Sequence, residues 1–254
     1  MIRIGIDLGG TNIAVGTVDD GHAIVSRVSV PTLARRPAAE VVGDMGDAVE
    51  AALAKAGLSI GDCCSIGIGS PGTCNSAAGV VERAYNLGWD HVPVCRMLEE
   101  RFHVPCRLSN DANCAALAEV VAGAAAGRRD VVLITLGTGV GGGVVLGGEL
   151  YGGARGIAGE LGHFTLYQDG APWPRGKRGC METCCSVSAL LEGDETLEDF
   201  FLHLRKKEHS YEERWLSYLS ALTIAIDNLH MVIDYDVILG GSIAPYITDN
   251  DIDL

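Results

Sequence analysis

The sequence predicts an α/β protein built from two similar lobes, and three observations carry that expectation. Residues 2–6 are a β-branched apolar run that enters the turn Asp7-Leu-Gly-Gly-Thr-Asn12, and a second such run leaves it. The same device returns at residues 131–146, where an apolar run leads into Leu136-Gly-Thr-Gly-Val-Gly-Gly-Gly143. Strands, glycine turn, strands and helix therefore recur in two halves, the pattern of two layered α/β lobes with a cleft between them.

In chain order, residues 2–6, 13–18 and 22–30 run or alternate apolar with Gly and Asp between them, and read as three strands of a meander. Val41, Met45, Ala48, Val49 and Ala52 recur at helical spacing, and Gly57 stands where a C-terminal cap belongs. Residues 65–69 form a short strand running into the turn Ser70-Pro71-Gly72, and residues 106–109 form another. Residues 112–126 are helix-forming, with Leu117, Val120 and Val121 on one side, which places Asn110-Asp111 at a strand-to-helix junction. Residues 127–130 break the chain before a second strand set at 131–135 and 143–146. Residues 212–233 give a long amphipathic helix whose buried stripe is Trp215, Leu219, Leu222, Ile226, Leu229 and Ile233, with His230 beside it as a core or rim histidine. Residues 237–239 are a strand entering Gly240-Gly241-Ser242, followed by a helix start near Ala244-Pro245. The expected lobes are residues 1–117, the smaller, and 118–254, the larger.

Composition narrows the function classes. The chain of 254 residues is 48% hydrophobic, enough to bury a substantial core. Apolar stretches such as 221–226 fall far short of the ~20 residues of a membrane span. The first residues lead directly into a strand rather than through a basic and then apolar segment, so no membrane partner and a cytoplasmic location are expected. Nine cysteines, with Cys63-Cys64 and Cys184-Cys185 adjacent, suit reduced thiols better than a disulfide framework. A formal charge of −14 argues against nucleic acid, and Arg35-Arg36, Arg128-Arg129 and Arg205-Lys206-Lys207 are too short to overcome that field.

The two glycine turns bare backbone N–H groups, as needed to hold the phosphates of one nucleotide from two sides. Gly9, Gly10, Gly137 and Gly139 allow close approach, while Thr11, Asn12 and Thr138 add donors. Asp7 reads equally as a turn aspartate bonding its own backbone or as a carboxylate facing Mg²⁺ through water. Asp111 reads as an N-cap, or as a carboxylate kept ionised by the helix dipole and neighbouring N–H groups and available as a general base. On spacing alone the cap is the better reading. Asn110, Asp111, Glu160, His163 and Glu182 carry the acceptors and amides that a ring of hydroxyls requires, and all but Asn110 also have surface or capping readings.

Asp7-Leu-Gly-Gly-Thr-Asn12, Asn110-Asp111-Ala112-Asn113, Leu136-Gly-Thr-Gly139, Gly159-Glu-Leu-Gly-His163 and Gly240-Gly241 occur in this order, and together they make the chain resemble the ROK family of bacterial sugar kinases and repressors. The resemblance implies the actin-like, ribonuclease-H-like ATPase fold of two lobes around a cleft. It implies a glucokinase-like enzyme that moves the γ-phosphoryl of ATP to a hexose hydroxyl with Mg²⁺, and it makes Asp111 the base. By the same resemblance the first turn and the Gly137 turn hold the phosphates, and Gly240-Gly241 lies near the adenosine. Asn110, Asp111, Glu160, His163 and, through Gly179-Cys-Met-Glu182, Glu182 bind the sugar, with Asn86 and Gly72 approaching it from the small lobe. Residues 159–189 also resemble allose kinases, and glucose, fructose, mannose, allose and N-acetylmannosamine stay open as substrates because one or two hydroxyls separate them. Repressors of the family carry a winged helix-turn-helix before the first turn, and here six residues precede Asp7, so an enzyme is expected. A homodimer is implied by the family's habit. Two alternatives remain, a non-catalytic sugar sensor and a nucleotide-driven module of the actin or Hsp70 type.

The sequence departs from the family twice. Family members follow the histidine with Cys-x-Cys-Gly-x-x-Gly-Cys, whose three thiolates complete a tetrahedral zinc site with that histidine. Here Trp173 and Arg175 replace two thiolates, leaving His163 and Cys180. Cys184 and Cys185 are near in sequence, but a closed site needs all four donors, so zinc is expected to be absent and the loop held by packing of Trp173 or ion pairs of Arg175. The second departure is at Asp249-Asn-Asp-Ile-Asp-Leu254, where family members continue for roughly forty residues, leaving an expectation of a short nucleotide lobe.

Overall fold

Alternating burial in the first hundred residues builds a sheet with one face closed by a helix. The computed structural model describes residues 1–154, 156–173 and 176–252. Strands β1 (Ile2–Leu8), β2 (Asn12–Val18) and β3 (Ile24–Pro31) pair antiparallel, with Ile6 opposite Val15 and Ile13 opposite Val30. Helix α1 (Ala38–Ala56) lays Val41, Met45, Ala48, Val49 and Ala52 into a core with Ile4, Ile6, Leu8, Ile13 and Val15, and Gly57 ends it in the left-handed conformation. Burial of each Val, Ile, Leu and Met side chain among these contributes about 1.5–3 kcal/mol.

Strand β4 (Cys63–Ser70) crosses over to lie parallel to β1. A separate three-stranded antiparallel sheet follows, β5 (Thr73–Asn75), β6 (Val80–Ala84) and β7 (Trp89–Val92), and then helix α2 (Val94–Phe102). Strand β8 (Cys106–Asn110) returns parallel to β4, giving the order β3-β2-β1-β4-β8. Helix α3 (Asp111–Ala122) leaves directly from β8. It stops short of the expected residue 126, and the Glu119 carboxylate rather than a helical carbonyl accepts the Ala124 N–H, at 2.7 Å.

The chain divides within α3 into two compact units, Met1–Cys114 with Ala154–Gly156, and Ala115–Gly153 with Ile157–Leu254. The boundary expected at residue 117 falls in the same helix.

In the second unit β9 (Val131–Leu136) and β10 (Val140–Leu146) are antiparallel, with β11 (Glu149–Leu150) on the outer edge. β10 begins three residues before the expected 143, because its glycines pair in register with residues 133–135. Short helices α4 (Glu182–Cys185) and α5 (Val187–Leu190) precede α6 (Leu197–Arg205) and the long α7 (His209–His230). Strand β12 (Asp236–Gly240) then pairs parallel to β9, giving the order β11-β10-β9-β12, and α8 (Asp249–Ile252) is the last element.

β9 is buried on both faces. Val132, Ile134 and Leu136 pack with Trp215, Leu219 and Leu222 of α7, while Val131 and Leu133 pack with Val145, Ala116 and Ala125. Both units therefore consist of an antiparallel meander joined to a parallel strand, as the repeated glycine-turn pattern suggested. All nine cysteines are free thiols, and among the described residues no helix is long and apolar enough to cross a membrane.

Candidate active site

In the first unit β1, β4 and β8 end together, with Asp7 beside Gly69 and Gly69 beside Ser109. The carboxyl ends of parallel strands are where ligand crevices open in α/β sheets. The turn after β1 is closed by Gly9 N–H donating to the Asn12 carbonyl at 2.9 Å. Thr32, fully buried, holds this turn from β3's end, its hydroxyl donating to the Gly9 carbonyl at 2.7 Å and its N–H to the Thr11 carbonyl at 2.8 Å. Nothing in the local sequence singles Thr32 out, since it acts from twenty residues away.

Asn86 lies against this turn, so that a Cβ on Gly10 would stand 3.1 Å from its amide nitrogen. Gly72 has φ 84°, and a side chain there would run into the Arg83 carbonyl. The Gly72 carbonyl accepts the Asn110 amide at 3.1 Å.

Asn110 is the cap of α3. Its Oδ1 accepts from Ala112 N–H at 3.0 Å and Asn113 N–H at 3.3 Å. The sequence reading gave a capping alternative to Asp111 and none to Asn110, and the structure assigns the work the other way. Asp111 is the first helical residue, and its carboxylate accepts the Ala112 N–H at 2.9 Å, with its own N–H and the Asn110 side chain also bonding to it.

The electrostatics of Asp111 also differ from expectation. Its residue surface is exposed, yet enough protein crowds the carboxyl that desolvation dominates and raises its pKa above the ordinary aspartate value. The Ala112 hydrogen bond opposes this, and the nearby charge of Asp7 adds to it. The helix terminus therefore does not hold this group unusually acidic. Among the described residues neither Asp7 nor Asp111 forms an ion pair with a cation. Cys114, one turn along α3, has its thiol pushed up to about 11 by burial and by the charges of Asp111 and Asp7, so it stays protonated.

In the second unit the turn at residues 136–140 joins β9 to β10, with Gly137 N–H donating to the Gly139 carbonyl at 3.0 Å. Helix α5 supports it from behind, where Val187 N–H donates to the Gly137 carbonyl at 2.8 Å. Gly240 ends β12 beside Thr135, and Ile243 N–H donates to the Leu136 carbonyl at 3.1 Å, so the Gly240-Gly241 turn and the 136–140 turn are neighbours. Thr138 stands at the tip of its turn, its carbonyl 3.5 Å from the Ser188 hydroxyl.

Glu160 and His163 flank a short helical turn (Leu161–His163), with His163 Nε2 3.5 Å from the Glu160 carboxylate. The other imidazole nitrogen, Nδ1, is buried and has no hydrogen-bond partner among the described residues. Glu182 opens α4 with both carboxylate oxygens engaged, Oε2 by the Val140 N–H at 3.1 Å and Oε1 by the Trp173 indole at 2.8 Å. The resemblance gave Glu182 to the sugar, and this prior engagement is not legible from spacing, because it depends on Trp173 folding back across nine residues. Arg175, to which ion pairs were assigned, lies outside the described residues. Among the described residues no three His, Cys, Asp or Glu side chains are grouped so as to hold a metal ion, and indole is not a zinc donor.

A family model described as the ROK family matches residues 3–246. The chain is 39% identical over 188 residues to a glucokinase of Halalkalibacterium halodurans, covering 74% of this chain and 57% of that protein. It thus spans little more than half the length of that relative. Among solved structures, a ROK hexokinase from Thermus thermophilus superposes with TM-score 0.86 at 35% identity, covering 100% of this chain and 86% of that one. A ROK family glucokinase from Streptomyces griseus, in complex with glucose and AMPPNP, gives TM-score 0.78 at 30% identity, over 96% of this chain and 84% of that one. Both structural relatives have the two-domain, actin-like architecture that the family resemblance implies.

Proposed function

Because the chain belongs to the ROK family, we propose that it is an ATP-dependent hexose kinase whose substrate is glucose. The observation that carries the reading is the Asp111 carboxylate, set at the start of α3 beside Asp7 and held above the ordinary aspartate pKa by desolvation. A base of raised pKa is the better proton acceptor, provided it is still ionised at working pH.

In the proposed reaction a sugar hydroxyl oxygen attacks the γ-phosphorus of ATP as the bond to the β,γ-bridging oxygen breaks. ADP leaves with that electron pair, and the hydroxyl proton passes to the Asp111 carboxylate. Gly9, Gly10, Thr11 and Asn12 of the first turn, and Gly137, Thr138 and Gly139 of the second, form the phosphate cradles, the N–H groups of Gly9 and Gly137 closing the turns while Thr11, Asn12 and Thr138 supply donors to the phosphates. Gly240 and Gly241 approach the adenosine. Two neighbouring carboxylates without a cationic partner suit a divalent cation, so Asp7 is assigned to Mg²⁺ through water, and that ion neutralises phosphate charge when bound. Gly72, Asn86, Asn110, Asp111, Glu160, His163 and Glu182 orient the sugar. The Halalkalibacterium halodurans glucokinase and the glucose complex of the Streptomyces griseus enzyme support glucose over the other hexoses. We read the protein as zinc-free, since Trp173 stands at a ligand position. We also read it as cytoplasmic and without a nucleic-acid partner, which nine free thiols and a charge of −14 support, and as a homodimer on the family's habit alone.

Asp111→Asn tests the mechanism. In a coupled ADP-release assay kcat is expected to fall by about 10²- to 10⁴-fold while glucose binding persists. Across glucose, fructose, mannose, allose and N-acetylmannosamine, the wild type is expected to give its highest kcat/KM with glucose. Unchanged turnover in Asp111→Asn overturns the role of the base. Sugar binding without turnover in the wild type supports the sensor, and ATP hydrolysis indifferent to sugar supports the nucleotide-driven module.

A further inference from the structure

The segment between His163 and Glu182 lacks the thiolates of a zinc clasp, yet it is tied at several points within the second unit. Thr165 and Cys180 form an isolated antiparallel bridge, as do Pro172 and Arg178. Trp173 N–H donates to the Lys177 carbonyl at 2.8 Å, and the Lys177 ammonium donates to the His163 carbonyl at 3.1 Å. These bonds present the Trp173 indole to two functional candidates at once. Its ring lies against the His163 imidazole, centroids 4.7 Å apart and planes inclined by 57°. Its N–H donates to Glu182 Oε1 at 2.8 Å.

The other oxygen of Glu182 reaches the glycine turn. Oε2 accepts the Val140 N–H at 3.1 Å, and a Cβ on Gly139 would stand only 2.5 Å from it. The carboxylate therefore lies flush against the turn at residues 136–140. A carboxylate fixed at one oxygen can still swing about its Cγ–Cδ bond, whereas one fixed at both cannot. Both bonds are charge-assisted, the stronger class of hydrogen bond. Tryptophan adds rigidity of its own, since only two side-chain torsions place its N–H.

We propose that Trp173 is a positioning residue that fixes the phosphate-facing turn at residues 136–140 through the Glu182 carboxylate, and ties that turn to His163 through its ring. The proposal rests on the kinase reading above. It gives the two halves of Trp173 different jobs: the indole N–H governs the nucleotide side and the ring governs the sugar side. Each carboxylate oxygen keeps a second lone pair, so Glu182 can meet a sugar hydroxyl while serving as the strut.

The full-length chain is compared with Trp173→Phe, which keeps a ring against His163 and removes the donor, and with Trp173→Leu, which removes both. AMPPNP affinity is measured by calorimetry with Mg²⁺ in the buffer, and KM and kcat are measured for glucose and ATP. Trp173→Phe is expected to weaken AMPPNP binding about 5- to 10-fold, a fraction of a charge-assisted hydrogen bond because that bond reaches the nucleotide only through the turn, and to raise KM for glucose less than Trp173→Leu does. Trp173→Leu is expected to weaken AMPPNP equally and to raise KM for glucose as well. A merely structural tryptophan would lower the melting temperature of both variants and leave these constants unchanged in the folded fraction, which overturns the proposal.

Should the variants not fold, the wild type still decides. The Trp173 indole N–H resonance is expected to shift as AMPPNP is added, and a resonance that stays put at saturation overturns the proposal. A wild type that binds AMPPNP and phosphorylates sugar, beside a Trp173→Phe that does so equally, sinks the positioning role alone. A wild type that binds no AMPPNP sinks the kinase reading along with it.

Discussion

At the scale of single residues, Asp111 is held in a state that costs the fold. Desolvation and the charge of Asp7 raise its pKa, and the Ala112 N–H offsets only part of this. With the folded pKa above the unfolded one, the folded protein binds more protons between those two values. Stability is therefore undiminished below the unfolded pKa near 3.8 and is lost as pH rises through the folded pKa, so the ionised carboxylate destabilises the native state at pH 7. Replacing it with an uncharged isostere removes that penalty and keeps an acceptor for the Ala112 N–H. Asp111→Asn is expected to melt above wild type at pH 7 by calorimetry, with the gain shrinking as pH falls toward 3.8. A variant that melts lower at pH 7 would show that the charge is well accommodated. Stability and turnover then move in opposite directions at one position, as is common where a functional group is kept poorly solvated.

At the scale of elements, α5 is only four residues long, yet its start is well built. Ser186 is 1% exposed, its hydroxyl accepts the Ala189 N–H at 3.2 Å and lies 2.9 Å from the Ser188 hydroxyl. That cap holds the N-terminus whose Val187 N–H donates to the Gly137 carbonyl. Ser186→Ala is expected to lower stability by about 1 kcal/mol by urea denaturation and also to weaken AMPPNP binding, because the turn loses its support. A stability loss without any change in nucleotide affinity would separate α5 from the turn. None of this was legible in the sequence, where Cys185-Ser186-Val187-Ser188 carries no periodicity. The sheet of β5, β6 and β7 escaped for a related reason, its strands being three, five and four residues long and too short for an alternation to register. By contrast β1, β2, β9 and α1 announce themselves, because a buried face imposes a period on every residue of a long element. The two glycine turns were legible as turns for the same reason, since each sits where such an element ends, whereas spacing favoured Asp111 as a cap that the structure gives to Asn110. The double engagement of Glu182 and the turn contact of Thr32 were not, because they join segments distant in sequence.

At the scale of the whole molecule, the two units repeat one construction and each closes its own core. In the first, Ile66 of β4 is fully buried among residues of α1 and the β1–β2 pair. In the second, Ile134 of β9 is fully buried among residues of α7, and the two clusters share no member. Removing one methyl group from a well-packed site costs about 0.5–1.5 kcal/mol, the spread reflecting how far neighbours relax into the space. Relaxation couples two sites only when they share a neighbour or a cavity, and separate clusters offer neither. Ile66→Val and Ile134→Val are therefore expected to shift urea-induced unfolding independently, the double variant losing the sum of the single losses within about 0.5 kcal/mol. A larger discrepancy would mean that the two cores are not energetically independent. The comparison is most direct by far-ultraviolet circular dichroism, which reports both units at once and whose transition would broaden if one core gave way before the other.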